Sequence, residues 1–285
     1  MRLLWFVSKP SHKDGLDEAL LTLNLSDAPR FLRAPEDMIV PPSCACIEME
    51  VVVTDQSVLA MQAARVRTDY LYFSSYRPLL ALFDMDSTLI QQEVIDQLAA
   101  SFGLGNQVAE ITECAMRGEM NFAESFTKRL ELLRGFEETA LASVYKDLTL
   151  TAGADVLTSN LSAAGVRTGI VSGGFSYFAD RIGEKLGMDF VVSNTLDCIN
   201  GRVTGKALAP VIDGLKKLET LKCEASKLAT PLSNTMAVGD GANDVQMLTA
   251  SGIGVAYHAK DFVRKEADHC LNVHDLSALS YVVKF

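Results

Sequence analysis

From residue 79 onward, short apolar runs alternate with longer segments of helical periodicity, and this alternation is the strongest constraint on the fold. The apolar runs cover residues 79–83, 166–171, 190–192, 236–238 and 253–256. Near-continuous apolar strands separated by helices are typical of a parallel sheet that helices cover on both faces. The pattern therefore predicts an α/β fold built on a Rossmannoid parallel sheet.

The stretch between the first two apolar runs is too long for a simple crossover between parallel strands. It contains four segments of helical periodicity, over residues 93–100, 107–116, 122–133 and 137–146. A crossover needs only about a dozen residues, so we predict an inserted helical cap over about 93–150. Asn200-Gly201 favours a type I′ turn, which predicts a hairpin between residues 196–199 and 202–204.

The first 77 residues have a different pattern and predict a small, separate α+β domain. Apolar or alternating runs over residues 3–7, 46–53 and 70–73 predict strands, and residues 55–66 predict a helix. No cluster of chemically suggestive side chains occurs here, so a regulatory role, a homodimer interface and simple stabilisation all stay open. The second domain is expected to span residues 78–285.

Charge and apolarity exclude several classes of partner. The chain carries 26 basic and 36 acidic side chains, a formal net charge of -10, which repels the phosphates of nucleic acids and of anionic membranes. No apolar stretch reaches the roughly 18 residues of a spanning helix, and the apolar run at the start is short for a signal peptide. The six cysteines are scattered, as reduced core cysteines are. We expect a cytoplasmic protein that binds neither nucleic acid nor membrane.

Polar residues follow three of the predicted strands at the point where each strand ends. Asp84 and Asp86 follow the first strand, the segment 172–174 (Ser-Gly-Gly) follows the second, and Asp240 and Asp244 follow the third. Converging carboxylates need a cation between them, and oxygen ligands suit Mg²⁺, or equally Mn²⁺. Free N–H groups at a strand-to-helix turn over 172–174 would hold a phosphate. The pattern predicts phosphoryl chemistry, with Asp84 and Asp240 as metal ligands.

The order of these motifs resembles the haloacid dehalogenase superfamily. D-x-D-x-T begins at Asp84, S-G-G begins at Ser172, a lysine follows, and G-D-G-x-N-D begins at Gly239. Within that superfamily, the chain is most similar to the phosphoserine phosphatases, whose cap motif resembles residues 115–122 together with Arg129. The resemblance covers roughly 200 residues, from position 78 to the C-terminus.

The resemblance implies a role for each residue of the motifs. Asp84 is the expected nucleophile, and Asp86 is the expected general acid and base, with its backbone carbonyl on Mg²⁺. Ser172 and Lys217 are the expected phosphate partners. Asp240 is the expected metal ligand, and Asp244 and Asn243, which follow it, would tune the ion or orient the lysine. The expected substrate contacts are Glu93, Met116, Phe122, Arg129, Ser172, Gly173 and Asn243.

The implied reaction is the Mg²⁺-dependent hydrolysis of O-phospho-L-serine, the last step of serine biosynthesis. Glu93 and Arg129 would match the ammonium and carboxylate of this small-molecule substrate. Lys216 is adjacent to Lys217 and is an alternative phosphate ligand, although the helix phase favours Lys217. A phosphotransferase or phosphatase for another small ester, and a non-catalytic sensor of a phosphorylated ligand, are the alternative functions. Selectivity between L- and D-phosphoserine and inhibition by serine stay open.

Overall fold

The computed structural model describes residues 2–8, 30–32, 44–50, 69–73, 77–116, 119–120 and 122–283, and its strands form two sheets. The N-terminal sheet contains β1 Arg2–Ser8, β2 Arg30–Leu32, β3 Cys44–Glu50 and β4 Tyr70–Phe73. The second sheet contains β5 Leu80–Phe83, β6 Arg167–Phe175, β7 Phe190–Ile199, β8 Arg202–Leu208, β9 Thr235–Gly239, β10 Ile253–Tyr257 and β11 His269–Leu271. The helices are α1 Val94–Ser101, α2 Gly105–Met116, α3 Phe122–Leu132, α4 Thr139–Asp147, α5 Ala154–Ala163, α6 Ser176–Leu186, α7 Gly214–Lys227, α8 Val245–Ala250 and α9 Asp261–Glu266.

The larger sheet has the strand order β11-β10-β9-β5-β6-β7-β8, and every neighbouring pair is parallel except β7 with β8. Alternate residues of β5 enter two different apolar clusters, because side chains alternate across a strand. Ala81 and Phe83 belong to one cluster, and Leu80 and Leu82 belong to the other. The predicted parallel α/β sheet with two covered faces is therefore confirmed.

The register of β5 with its neighbours brings three strand ends to one edge of the sheet. Phe83, the last residue of β5, lies opposite Ile170 of β6 and Val238 of β9. The Asp84 N–H donates to the Val238 carbonyl at 2.9 Å, which continues the pairing one residue beyond β5. Polar residues after these strands therefore meet at the carboxyl edge, where open α/β sheets bind ligands.

Helices α1 to α4 form one insertion between β5 and β6. The chain leaves and returns through two adjacent segments that are hydrogen-bonded to each other. The Gln91 N–H donates to the Thr149 carbonyl at 3.0 Å, and the Thr151 N–H donates to the Leu89 carbonyl at 2.9 Å. The four predicted helices are present, with ends shifted by at most two residues. This insertion is called the cap below.

The β7–β8 hairpin extends the sheet and supports the cap. Asn200 and Gly201 have φ angles of 51° and 72°, which confirms the predicted I′ turn with its two left-handed residues. The Gly135 N–H donates to the Val203 carbonyl at 2.8 Å, and the Val203 N–H donates to the Phe136 carbonyl at 2.9 Å. The hairpin and the segment after α3 therefore pair backbone to backbone.

The N-terminal sheet is antiparallel, with the strand order β2-β3-β1-β4. The strands predicted over 3–7 and 70–73 are present, and the strand predicted over 46–53 is described up to Glu50. The helix predicted over 55–66 lies outside the described residues. Among the helices that the structure describes, none has the length and apolarity needed to cross a membrane.

Asp69, just before β4, attaches this sheet to the C-terminal segment. Its buried carboxylate accepts the N–H groups of Asn272, Val273 and His274, each at 2.8 Å, and lies 3.0 Å from His274 Nδ1. The ring of Phe6 in β1 packs 5.7 Å from the imidazole of His274. Four acceptor contacts on one buried carboxylate make a well-satisfied junction between the two sheets.

Candidate active site

A single wide turn follows β5 and carries the two aspartates of the first motif. It covers Met85–Leu89 and closes when the Ile90 N–H donates to the Met85 carbonyl at 3.0 Å. Inside the turn, Ser87 adopts a left-handed φ of 55°. The buried Asp84 carboxylate accepts the Met85 N–H at 2.7 Å through Oδ1, which leaves Oδ2 for other partners.

Lys217, in the first turn of α7, is the cation that this carboxylate meets. Its fully buried ammonium lies 2.8 Å from Asp84 Oδ2 and 2.7 Å from Asp244 Oδ1. Burial alone would lower the pKa of Lys217, but the charges and hydrogen bonds of Asp244 and Asp84 reverse this and raise it. Lys216 lies elsewhere, with Nζ 3.0 Å from Glu219 Oε2. Of the two adjacent lysines, the structure brings Lys217 to Asp84.

Three carboxylates converge beside this lysine. One oxygen each of Asp84, Asp240 and Asp244 lies within 4.8 Å of the others. Burial, together with the neighbouring carboxylates, raises the pKa of Asp240 to about 8 and that of Asp244 to about 7. Thr88 donates to Asp240 Oδ1 at 3.1 Å. A compact set of oxygen donors whose repulsion a cation would relieve fits a hard divalent metal ion.

Asp244 is held by the loop that precedes α8. Its Oδ2 accepts the Gly241 N–H at 2.9 Å while Oδ1 meets Lys217. A Cβ at Gly239 would lie 2.4 Å from the Asp244 carboxyl carbon, so this close approach requires glycine. Asp244 directly precedes α8, which begins at Val245, and its carbonyl accepts the Leu248 N–H at 2.9 Å.

The Ser172-Gly173-Gly174 segment does not form the strand-to-helix turn that we predicted. β6 continues through it to Phe175, with a shift of register against β7. The Gly174 N–H is not free, since it donates to the buried Ser172 Oγ at 2.9 Å. Ser172 lies at the same sheet edge as Asp84, because Ile170 pairs with the last residue of β5.

Asn194 is a residue of this region that the sequence did not single out. Its side chain is fully buried; Nδ2 donates to the Gly173 carbonyl at 2.7 Å, and Oδ1 accepts the Ile212 N–H at 2.8 Å. The amide thus joins the end of β6 to the loop before α7, which carries Lys217. Asn194 directly follows the apolar run 190–192 and Ser193, a position like that of the other polar residues after strands, and this was the available signal.

Asp86 lies between the sheet and the cap. It accepts a hydrogen bond from the Val94 N–H at the start of α1, which opposes the rise in its pKa. Burial raises the pKa of Asp86 well above its usual range, and the charges of Glu93 and Asp84 add to this. Its Oδ1 is buried without a hydrogen-bond partner among the described residues. This environment favours a protonated carboxyl.

The predicted substrate contacts of the cap lie directly before α1, at the end of α2 and on α3. Glu93 precedes α1 and accepts the Ser87 hydroxyl at 2.7 Å. The Arg129 side chain is partly buried in α3, and its Nε is a buried donor without a partner in the described part of the chain. Met116 and Phe122 are described as helix backbone only, so their contacts with a substrate stay predictions.

Asn243 lies next to the start of α7, where a Cβ on Gly214 would lie 3.0 Å from the Asn243 carbonyl oxygen. The same loop carries Asp240 and Asp244. The contacts of Asn243 and Gly173 with a substrate stay predictions.

Comparisons with known proteins show which family this sequence matches. The family model of haloacid dehalogenase-like hydrolases matches residues 81–249. A curated relative, the phosphoserine phosphatase of Archaeoglobus fulgidus, is 42% identical over 205 residues, 72% of this chain. The match covers 60% of that relative, and it covers 50% of a phosphoserine phosphatase of Streptomyces coelicolor. The chain thus spans about half to three fifths of the length of these relatives.

Solved structures are similar over the whole chain or over its larger part. A crystal structure of a HAD family hydrolase from Salmonella enterica serovar Typhi superposes with a TM-score of 0.90 at 28% identity, covering 100% of this chain and 99% of that one. A structure described as a phospho-aspartyl intermediate analogue of phosphoserine phosphatase has a TM-score of 0.68 at 37% identity and covers 72% of this chain and 99% of its own.

Proposed function

Because this chain belongs to the haloacid dehalogenase-like hydrolase family, we propose that it hydrolyses O-phospho-L-serine to serine and phosphate. The reaction proceeds through a phosphoaspartate on Asp84. One observation carries the proposal: the buried Lys217 ammonium lies 2.8 Å from the Asp84 carboxylate, which belongs to the cluster of three converging carboxylates. The choice of O-phospho-L-serine as the substrate rests on the similarity to proteins named phosphoserine phosphatase.

The acidic cluster is the proposed magnesium site. Asp84, Asp240 and the backbone carbonyl of Asp86 would hold the ion, with Asp244 beside them between Gly241 and Lys217. When bound, Mg²⁺ neutralises negative charge on the phosphate oxygens. The three carboxylates of this cluster would otherwise repel a phosphate dianion, so the fit of the cluster to a cation supports the proposal.

In the first step, an Asp84 oxygen attacks phosphorus and the ester P–O bond breaks. Lys217 and the Ser172 hydroxyl stabilise the negative charge on the phosphoryl oxygens. Asp86 gives its proton to the leaving serine oxygen, because an alkoxide is a poor leaving group. The buried position of Asp86 between sheet and cap supports this assignment.

In the second step, Asp86 removes a proton from water as that water attacks the phosphorus of phospho-Asp84. The acyl phosphate bond breaks, which releases inorganic phosphate and restores both carboxyl groups. Asn194 and Asp244 act as positioning residues, since Asn194 holds the Gly173 carbonyl near the end of β6 and Asp244 holds the Lys217 ammonium.

The cap supplies recognition of the serine part of the substrate. Glu93 pairs with its ammonium and Arg129 with its carboxylate, and the buried, unpartnered Arg129 Nε supports that role. Met116, Phe122, Gly173 and Asn243 are the other proposed contacts.

The test is phosphate release by the purified chain from a panel of small phosphomonoesters, with Mg²⁺ and with a chelator. Fast, metal-dependent release from O-phospho-L-serine is expected. Release from other esters only would contradict the assignment of the cap, and acceptor competition would then detect phosphotransfer to another alcohol. No release from any ester would contradict the catalytic assignment and favour the sensor.

The remaining assignments are also proposals. We place the N-terminal unit at residues 1–77, the catalytic unit at 78–285 and the cap at about 93–150. A cytoplasmic location, a homodimer and a place at the end of serine biosynthesis stay predictions.

A further inference from the structure

Asp96 is a cap carboxylate to which the proposed mechanism gives no role. It lies three residues after Glu93, in the first turn of α1, and its charge acts on Glu93. Its Oδ1 is buried and has no hydrogen-bond partner among the residues that the structure describes. A buried carboxylate oxygen without a donor is costly, so it indicates that a donor arrives from elsewhere.

Charges from two parts of the chain surround Asp96. Burial raises its pKa, and the charges of Arg129 on α3 and of Lys260 oppose that rise. Lys260 precedes α9 at the end of the larger sheet, and its charge also acts on Glu93. Asp96 thus lies within electrostatic reach of the residues already assigned to the zwitterion.

Arg129 presents the complementary feature. Its Nε is a buried donor without a partner in the described part of the chain, and Asp96 Oδ1 is an equally unpartnered buried acceptor. No hydrogen bond joins these two atoms, although their side chains interact electrostatically. A small zwitterion offers one group to each: a carboxylate to the donor and an ammonium to the acceptor.

An ammonium group has three N–H donors, and Glu93 is poorly placed to accept all of them. Glu93 Oε1 already accepts the Ser87 hydroxyl at 2.7 Å. We propose, on the basis of the function proposed above, that Asp96 is a second acceptor for the substrate ammonium and so determines specificity for amino-acid phosphates.

The test compares Asp96→Asn with the parent on three esters under Mg²⁺. O-Phosphoserine has both groups, O-phosphoethanolamine lacks the carboxylate, and 3-phosphooxypropanoate lacks the ammonium. We expect kcat/KM to fall about tenfold or more for the two esters with an ammonium, as for the loss of a charged hydrogen bond. The value for 3-phosphooxypropanoate should change by less than about twofold.

A different pattern would overturn the proposal. Equal losses on all three esters would indicate a structural role, and losses confined to the two esters with a carboxylate would mean that Asp96 only holds Arg129. Glu110→Gln, which removes an exposed cap carboxylate, is the matched control. It should leave the ratios of kcat/KM between the three esters unchanged. Should Asp96→Asn fail to fold, Asp96→Glu is compared on the same esters, with the same pattern expected and a smaller effect.

The test also separates this inference from the proposed function. A parent enzyme that does not hydrolyse O-phosphoserine contradicts the function itself. If the parent hydrolyses O-phosphoserine but the folded Asp96 variant has the same ratios of kcat/KM between the esters, only the role of Asp96 is contradicted.

Discussion

The sheet edge around Lys217 and the cap around Arg129 differ in whether their buried polar groups have hydrogen-bond or ion-pair partners. At the sheet edge, the Lys217 ammonium has two carboxylate partners, and each of those carboxylates also accepts a backbone N–H. In the cap, Asp96 and Arg129 each leave a buried polar atom without a partner among the described residues. Asp84 and Lys217, the proposed reacting pair, are thus arranged before a substrate binds, whereas Arg129 and Asp96 in the cap leave contacts for it to complete.

The difference follows from how each region is built. Paired strands fix the sheet edge through a register of hydrogen bonds. The cap groups lie on separate helices. The cap joins the sheet through the adjacent segments 89–91 and 149–151 and through backbone pairing with the β7–β8 hairpin.

The largest effect is expected for Asp84→Asn, which tests whether the sheet edge holds the reacting group. Asparagine keeps the shape and the oxygen that accepts the Met85 N–H, but it cannot form an acyl phosphate. Phosphate release from O-phosphoserine should fall by at least about a thousandfold. Turnover close to that of the parent would remove Asp84 from the mechanism.

Lys217→Met should have the next largest effect. Without its ammonium, the phosphoryl oxygens lose a charged donor, and kcat should fall by about a hundred- to a thousandfold. The variant also leaves Asp84 and Asp244 as buried, unpaired carboxylates, which should destabilise the fold by about 3–5 kcal/mol in urea denaturation. Lys216→Met is the control, with less than a twofold change in kcat expected; an effect as large as that of Lys217→Met would reverse the choice of lysine.

Arg129→Ala sharpens the comparison on the side of the cap. We expect kcat/KM for O-phosphoserine to fall about ten- to a hundredfold, mainly through KM, because a carboxylate partner is lost while the reacting groups stay in place. Hydrolysis of O-phosphoethanolamine, which lacks that carboxylate, should change little. Lys128→Ala, an exposed cation on the same helix, should alter neither ester. Equal losses of kcat/KM on both esters would mean that Arg129 does not recognise the substrate carboxylate.

The smallest effect is expected in thermal denaturation with and without Mg²⁺. An ion that binds the folded acidic cluster should raise the melting temperature by about 5 °C at a hundredfold excess over its dissociation constant. Asp240→Asn should abolish most of that rise, because it removes one of the three converging carboxylates. A rise of the same size in the variant would place the ion elsewhere.

Much of the sheet was predictable from the sequence, because buried parallel strands have local signatures. The apolar runs marked five strands, and Asn200-Gly201 marked the hairpin. β11 was missed, since three residues including His269 and Cys270 form no apolar run. The strand continuing through the segment 172–174 was also missed, because two glycines normally favour a turn; here pairing with β7 overrides that preference.

The site was predictable where a residue directly follows a strand, and less so where a contact joins distant elements. Asp84 and Asp240 were singled out because strand ends converge. Asn194, Asp96 and Lys260 were not, because only tertiary packing brings the groups around each of them together. A single asparagine or aspartate in a sequence is most often a surface or capping residue.

The Asp69 junction bears on how the chain folds during synthesis. Its acceptor leaves the ribosome roughly 200 residues before the three backbone donors at 272–274, an interval of about 10–40 s at ordinary elongation rates. Until then, the apolar side chains of β1 that finally pack on this segment, such as Phe6, lack their final partner. The first part of the chain to be made is thus among the last to be completed, and a nascent chain stalled before residue 272 should be more readily cleaved by protease near residue 69 than the finished protein.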